Sequence, residues 1–244
     1  MLEIKNVSFG KPPVLKGVSV EIGGGITAVI GANGAGKTTL LRCICGELKT
    51  KGEVVLDSLQ VLKLSPGKKA KYISYLPQHL PSPEITVRET VSFGKFKDCA
   101  VLGEAEWQQV DEMLEKVGIS ELENRTVSLL SGGERQKVFL ATVLLQDAAV
   151  LLLDEPTASI DIAYKSRVFE LLREEAEKGK TVITVMHDLA DAVNTADNIL
   201  LLENGVIRYF GTVAETLENR IIEKVFSVTR IDAMTNGHPL VLFR

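Results

Sequence analysis

Nowhere does this 244-residue sequence hold an uninterrupted apolar run of the roughly 18 residues that a membrane-crossing helix needs. If the protein works at a membrane, a different polypeptide must provide the passage. A basic excess is missing as well: 28 Lys and Arg against 32 Asp and Glu give a formal charge of -4, so there is no global footprint for nucleic acid. The local cluster Lys68, Lys69 and Lys71 reads as solvated surface, the usual state of a short charge run. Cysteine is scarce. Cys43, Cys45 and Cys99 match neither a zinc spacing nor an even disulfide framework, which points to a reducing compartment, the cytosol. No charged leader with an apolar core opens the sequence; Leu2, Ile4 and Val7 alternate as in a strand, so no secretory signal is expected. Internal repeats and low-complexity segments are also lacking.

What is present is an ordinary globular composition, 45% hydrophobic and 25% charged, at a length that suits one large α/β domain with an inserted lobe. Leu2 to Phe9 and Val14 to Ile22 read as an antiparallel edge around the turn Gly10-Lys11-Pro12-Pro13. Ile26 to Ile30 is a β-rich run that ends in a glycine-rich loop, and Leu40, Leu41 and Ile44 mark the helix behind it. A second strand pair is expected at Glu53 to Leu56 and Tyr72 to Leu76, after which Pro77, Pro81 and Pro83 interrupt regular structure. Helical spacing then governs Val87 to Phe93, Trp107 to Val117 with Gly118 as its cap, and a last helix from Ser131-Gly132-Gly133 through Leu144. The spacing predicts an inserted helical lobe over 79–147, between core segments 1–78 and 148–225. Continuous apolar runs of the buried parallel type return at Val150 to Leu153 and Thr181 to Met186, separated by a helix from Ile162 to Lys178. A helix (Leu189 to Thr195) and a strand (Asn198 to Leu202) follow, and Asn236-Gly237 predicts a terminal hairpin within 226–244.

Gly31-Ala32-Asn33-Gly34-Ala35-Gly36-Lys37-Thr38 fits the phosphate-loop spacing G-x-x-x-x-G-K-[ST] and stands between an apolar strand and a helix. Glycines let the backbone curl until several N–H groups point inward, and the helix N-terminus adds its positive dipole end. Gly31, Asn33, Gly34, Ala35, Gly36, Lys37, Thr38 and Thr39 are therefore the expected contacts of a nucleoside triphosphate. Lys37 would reach the β- and γ-phosphates, and the Thr38 hydroxyl would take one Mg²⁺ position. An unliganded glycine turn would give neither the lysine nor the threonine a packing reason to be there.

Val150-Leu151-Leu152-Leu153-Asp154-Glu155 puts two acids at the carboxyl end of an apolar strand, where open α/β sheets bind ligands. Asp154 would hold Mg²⁺ and Glu155 would polarise the attacking water, since phosphoryl transfer asks the protein mainly for positioning and charge stabilisation. Taken alone, two acids before Pro156 could be a turn cap. The phosphate loop makes the metal reading the stronger one.

These two motifs define only a P-loop NTPase. Leu130-Ser131-Gly132-Gly133-Glu134-Arg135-Gln136 resembles the signature loop of ATP-binding cassette (ABC) ATPases, and other elements similar to that family's follow the same order along nearly the whole chain. The resemblance implies an α/β fold: a RecA-like P-loop core, an antiparallel β-subdomain and an inserted α-helical subdomain. Ser131, Gly132, Gly133 and Gln136 are then a second anion site, too far from Lys37 to serve the same nucleotide in one chain, so they serve the ATP of a second copy. Gln78 resembles the glutamine that touches Mg²⁺ and the attacking water. His187 resembles the switch histidine at the γ-phosphate, Asp161 the aspartate that crosses to the other subunit, and Phe9 the aromatic that stacks on adenine. Phe9 stands where tyrosine is usual, Ile160 where leucine is common, and Thr142 where arginine often occurs; these departures are expected to alter packing at the dimer contact.

Tyr75-Leu76-Pro77-Gln78, Thr86 to Val91 leading to Gly94, Asp161-Ile162-Ala163-Tyr164 and the tail Ile221 to Phe243 with its terminal hairpin resemble the importer ATPases for iron–siderophore, haem and cobalamin, with those for zinc or manganese as the alternative. The implied partners are a second ATP-binding subunit, an integral membrane permease and an extracytoplasmic substrate-binding protein, with the chain on the cytoplasmic face of the membrane. A chromosome-maintenance ATPase would need long coiled coils where Gln78 to Leu130 is too short to hold them, and a translation-factor type would carry two heads, so no nucleic-acid partner is expected. A non-hydrolysing regulator would have no use for Lys37, Glu155 and His187 together.

Overall fold

The computed structural model describes residues 1–96, 101–235 and 238–244, so Cys99 and the Asn236-Gly237 turn lie outside the described residues. Strands β1 (Leu2–Phe9) and β2 (Leu15–Ile22) pair antiparallel, and β3 (Gly25–Ile30) runs into the glycine loop and helix α1 (Lys37–Ile44). β4 (Lys51–Leu56) and the short β5 (Leu59–Gln60) extend the first pair into a sheet ordered β2-β1-β4-β5. After the single turn α2 (Pro66–Lys69) comes β6 (Ile73–Leu76). Helices α3 (Val87–Ser92), α4 (Glu104–Val117) and α5 (Gly132–Leu145) pack against one another. β7 (Val150–Asp154), α6 (Ile162–Glu177), β8 (Thr181–Val185), α7 (Leu189–Thr195), β9 (Asn198–Glu203) and β10 (Val206–Thr212) follow. α8 (Val213–Glu218), α9 (Ile221–Phe226) and the antiparallel pair β11 (Arg230–Thr235) and β12 (His238–Phe243) end the chain.

The main sheet is ordered β10-β9-β3-β8-β7-β6; β6, β7, β8, β3 and β9 run parallel and β10 closes one edge antiparallel. The expected strand pair of Glu53 to Leu56 with Tyr72 to Leu76 does not form. β4 lies beside β1, with Leu2 opposite Leu56, whereas β6 lies parallel to β7, with Leu76 opposite Leu153. The neighbours decide it: β7 is buried along its whole length and takes a parallel partner on each side, while β4, buried only over Val54 to Leu56, pairs with the antiparallel β1. The hairpin of β9 and β10 also escaped the sequence reading. Its turn is Asn204-Gly205, with φ of 51° and 80°, the left-handed pair that a two-residue hairpin of this twist requires.

Three cores hold these layers among the described residues, the smallest joining Ile30, Ile199 and Leu201 of the main sheet to Met186, Val193 and Ile222. One lies between the sheets and α1, joining Leu2, Ile4 and Val7 to Val29, Leu40, Ile44, Leu152 and Ile183. Another joins Val110, Leu114, Val127, Val138 and Leu144 of the helical region to Leu76, Leu151, Leu153 and Leu171. Full burial of each such side chain is worth about 1.5–3 kcal/mol, so the helices are seated on the sheet by apolar contact.

Beneath the helical region Glu175 is 2% exposed and is bonded by Lys178 Nζ at 2.6 Å and by Lys180. Burial opposes its charge, but the two lysines hold its pKa below the ordinary carboxylate value. A depressed carboxylate stabilises the fold fully above the unfolded value and less as the pH falls through the folded one. Glu175→Ala is expected to lower the unfolding free energy by about 3–5 kcal/mol in urea melts at neutral pH, because Lys180 is left buried without one of its partners. That difference should narrow below about pH 4.

Candidate active site

The carboxyl ends of β3, β6, β7 and β8 deliver the loops that meet at one cleft of about 630 Å³. Out of β3 the chain turns at Gly31, with φ 153°, where any Cβ would stand 2.2 Å from the Leu202 carbonyl oxygen. Gly36, with φ 103°, is the N-cap of α1 and supplies no side-chain cap, so the first amides of that helix lack a side-chain acceptor. Such an end favours an anion. Lys37 is 7% exposed and folds over its own loop, donating to Gly31 O at 2.8 Å and Ala32 O at 3.2 Å. Burial lowers its pKa, against the opposing pull of Glu155 and Asp154.

At the end of β7 the Asp154 carboxylate is fully buried, and neither oxygen has a hydrogen-bond partner among the described residues. Burial raises its pKa, and the nearby Thr38 hydroxyl draws it back down. Among the described residues no group of three or more His, Cys, Asp or Glu side chains could hold a metal ion by itself. A buried, unpartnered carboxylate beside a threonine hydroxyl fits Mg²⁺ instead, a hard cation that keeps waters and takes phosphate oxygens as ligands.

Glu155 follows with φ 55°, a conformation uncommon outside glycine and found where a site imposes it. Its Oε1 accepts from Gln78 Nε2 at 2.7 Å and meets His187 Nε2 at 2.6 Å. One carboxylate oxygen thus ties the loop after β6 to the loop after β8. Asn33, Gly34, Gly36, Lys37, Thr38, Thr39, Gln78, Glu155 and His187 all line the cleft, and so does Val14, which no sequence signal had marked. Ala35 is buried beneath the loop, its amide donating to Ala32 O.

Phe9 does not line this cleft. It is half-buried in an adjoining groove with Lys11, Pro13, Lys49, Thr50 and Lys51. Ser131, Gly132, Gly133, Gln136 and Asp161 stand outside the cleft as well. Ser131 is the exposed N-cap of α5, accepting from Glu134 N at 3.3 Å, while Glu134 Oε2 accepts from Ser131 N at 2.8 Å and Ser131 Oγ at 2.7 Å. These bonds hold the Glu134 carboxyl below its usual range. The spacing Ser-x-x-Glu is a capping-box signature and was legible in advance. Gly133 admits no side chain, since a Cβ there would lie 2.7 Å from Ser159 O. Gln136 is 4% exposed, its Nε2 without a hydrogen-bond partner among the described residues, and Asp161 caps α6 by accepting from Tyr164 N at 2.8 Å.

A glycine loop wrapped by its own lysine, with an acid pair across the carboxyl edge of a parallel sheet, defines a P-loop nucleoside triphosphatase. Comparison with known proteins narrows the class. The family model described as ABC transporter matches residues 15–158. The ferric enterobactin transport ATP-binding protein of Escherichia coli (strain K12) is 36% identical, over 97% of this chain and 90% of its own. The hemin import ATP-binding protein of Shewanella denitrificans is 36% identical over 97% of each chain. A solved dimeric ATP-binding cassette in a post-hydrolysis state, bound to ADP and Pi, is 28% identical with a TM-score of 0.78, covering 87% of this chain and 99% of that one. This chain belongs to the ABC transporter family, as an ATP-binding and ATP-hydrolysing subunit. No helix among the described residues is long and apolar enough to cross a membrane.

Proposed function

We propose that this chain powers import of a metal-chelate cargo of the siderophore, haem or cobalamin kind from the cytoplasmic face of the membrane. The reading is supported by the cargoes named for its relatives, ferric enterobactin and hemin. Permease subunits would carry the cargo across, and an extracytoplasmic binding protein would deliver it. Within the chain, 79–147 acts as a helical subdomain on a core of 1–78 and 148–225, with 226–244 as a terminal hairpin.

In this reading Lys37 leaves the Gly31 and Ala32 carbonyls for the β- and γ-phosphates, and the amides from Gly31 to Thr39 cradle them. Phe9 reaches the adenine from its neighbouring groove. Thr38, Gln78 and Asp154 would hold Mg²⁺, which supplies charge neutralisation at the phosphoryl oxygens when bound. Glu155 exchanges its bond from Gln78 for one from the attacking water, and His187 turns to the γ-phosphate. Ser131, Gly132, Gly133 and Gln136 serve the nucleotide held by the partner, and Asp161 reaches across with them.

The observation that carries the reading is the position of Ser131 outside the Lys37 cleft, at an exposed helix start that favours an anion and is held in shape by its capping box with Glu134. A mixing experiment tests it. Lys37→Ala and Gly132→Asp should each abolish hydrolysis, the second because position 132 has room for a side chain, its nearest neighbour being Ser159 Cβ at 3.6 Å, and the new charge repels phosphate. Mixed together they should regain activity, because the hybrid dimer holds one site with both an intact Lys37 and an intact Gly132. Two folded preparations that form mixed dimers with ATP and stay inactive would refute the shared pocket.

A further inference from the structure

α4 ends at Gly118, whose left-handed conformation, with φ 72°, directs its amide to Glu115 O. The next two carbonyls take donors from another part of the fold. Arg167 Nη2 donates to Lys116 O at 3.1 Å, and the Tyr164 hydroxyl donates to Val117 O, both from α6. Lys116 answers through its own side chain, with Nζ 2.8 Å from Glu174 Oε2.

Tyr164 is the point where three elements meet. Its hydroxyl donates to Val117 O of α4, its ring lies under Lys137 Nζ of α5 at 3.8 Å from the centroid, and its amide donates to Asp161 Oδ1. The segment leading to it runs from Glu155 through Ser159, whose carbonyl occupies the space a side chain at Gly133 would need. The ring also packs against the apolar core of the helical region. Phenylalanine would fill that space equally well. The hydroxyl adds only a donor to an α4 carbonyl, and burial, which pushes the phenol up to about 12, keeps that donor protonated throughout the working range.

We propose that Tyr164 is a positioning residue for ATP hydrolysis: its hydroxyl pins α4 to the segment after Glu155 and so fixes the angle at which α5 presents Ser131 to the partner's nucleotide. The inference rests on the shared-pocket reading above. It requires the hydroxyl to matter for pairing of the two subunits and not for nucleotide binding by one of them, because Tyr164 lines no part of the Lys37 cleft.

The test uses the full chain with Tyr164→Phe, alone and combined with Glu155→Gln. Affinity for a fluorescent ADP reads the Lys37 cleft alone, and the ATP concentration that half-dimerises the Glu155→Gln chain reads the presentation of Ser131. Tyr164→Phe should leave the ADP affinity unchanged and raise the half-dimerising ATP concentration by about tenfold, with the KM for ATP hydrolysis rising in parallel. An unchanged dimerisation midpoint would overturn the proposal. A shift matched by an equal loss of ADP affinity would also overturn it, since a general loosening of the fold moves both. Failure of Glu155→Gln itself to dimerise would overturn the shared pocket, and this inference with it.

Discussion

Glu155→Gln is expected to slow ATP hydrolysis by about 10³-fold while leaving nucleotide affinity intact, and to accumulate an ATP-bound dimer. Glu155 Oε1 meets both Gln78 and His187, so both flanking loops share it as an acceptor. An amide of the same size keeps the packing but cannot hold the proton of an attacking water. It also removes a negative charge from beside the γ-phosphate, which favours the closed pair. Phosphate release and a sizing column with and without ATP read the two effects separately. Hydrolysis at the wild-type rate would remove Glu155 from the chemistry.

The second large effect is expected at the opposite wall. Lys37→Ala should weaken ATP binding by about 30- to 100-fold, the worth of a charge-assisted contact to phosphate in a partly buried site. The ammonium is half-desolvated and held by Gly31 O and Ala32 O, two neutral acceptors that it exchanges for charged phosphate oxygens. The loss should therefore appear in equilibrium titration of a fluorescent ATP analogue and not only in turnover. Equal affinity in wild type and variant would mean that the amides of the loop hold the phosphates unaided.

Much of this site is legible in the sequence because its parts are local. Val150 to Leu153 is apolar at every position and Thr181 to Met186 is apolar but for two threonines, the pattern of strands buried on both faces, and chemistry-bearing residues after such strands fall at one edge of the sheet. The phosphate loop is likewise specified within eight residues. Pairing is not local: Glu53 to Leu56 and Tyr72 to Leu76 look alike as runs, and only the neighbours available in the fold send one to each sheet. α8 and α9 are six residues each, too short for a helical period to show. The direction of the Phe9 ring depends on how β1 meets the Lys49 to Lys51 segment, which no motif records. Val14 enters the cleft for the same kind of reason, as a strand-edge residue placed by the turn before it.

The most direct measurement is a structure of the Glu155→Gln chain with ATP and Mg²⁺. Two copies should face each other with Ser131 Oγ within hydrogen-bonding distance of the γ-phosphate on the other copy's Lys37. A hydrolysis-competent assembly in which Ser131 stands away from every γ-phosphate, or touches the nucleotide of its own chain, would contradict the account.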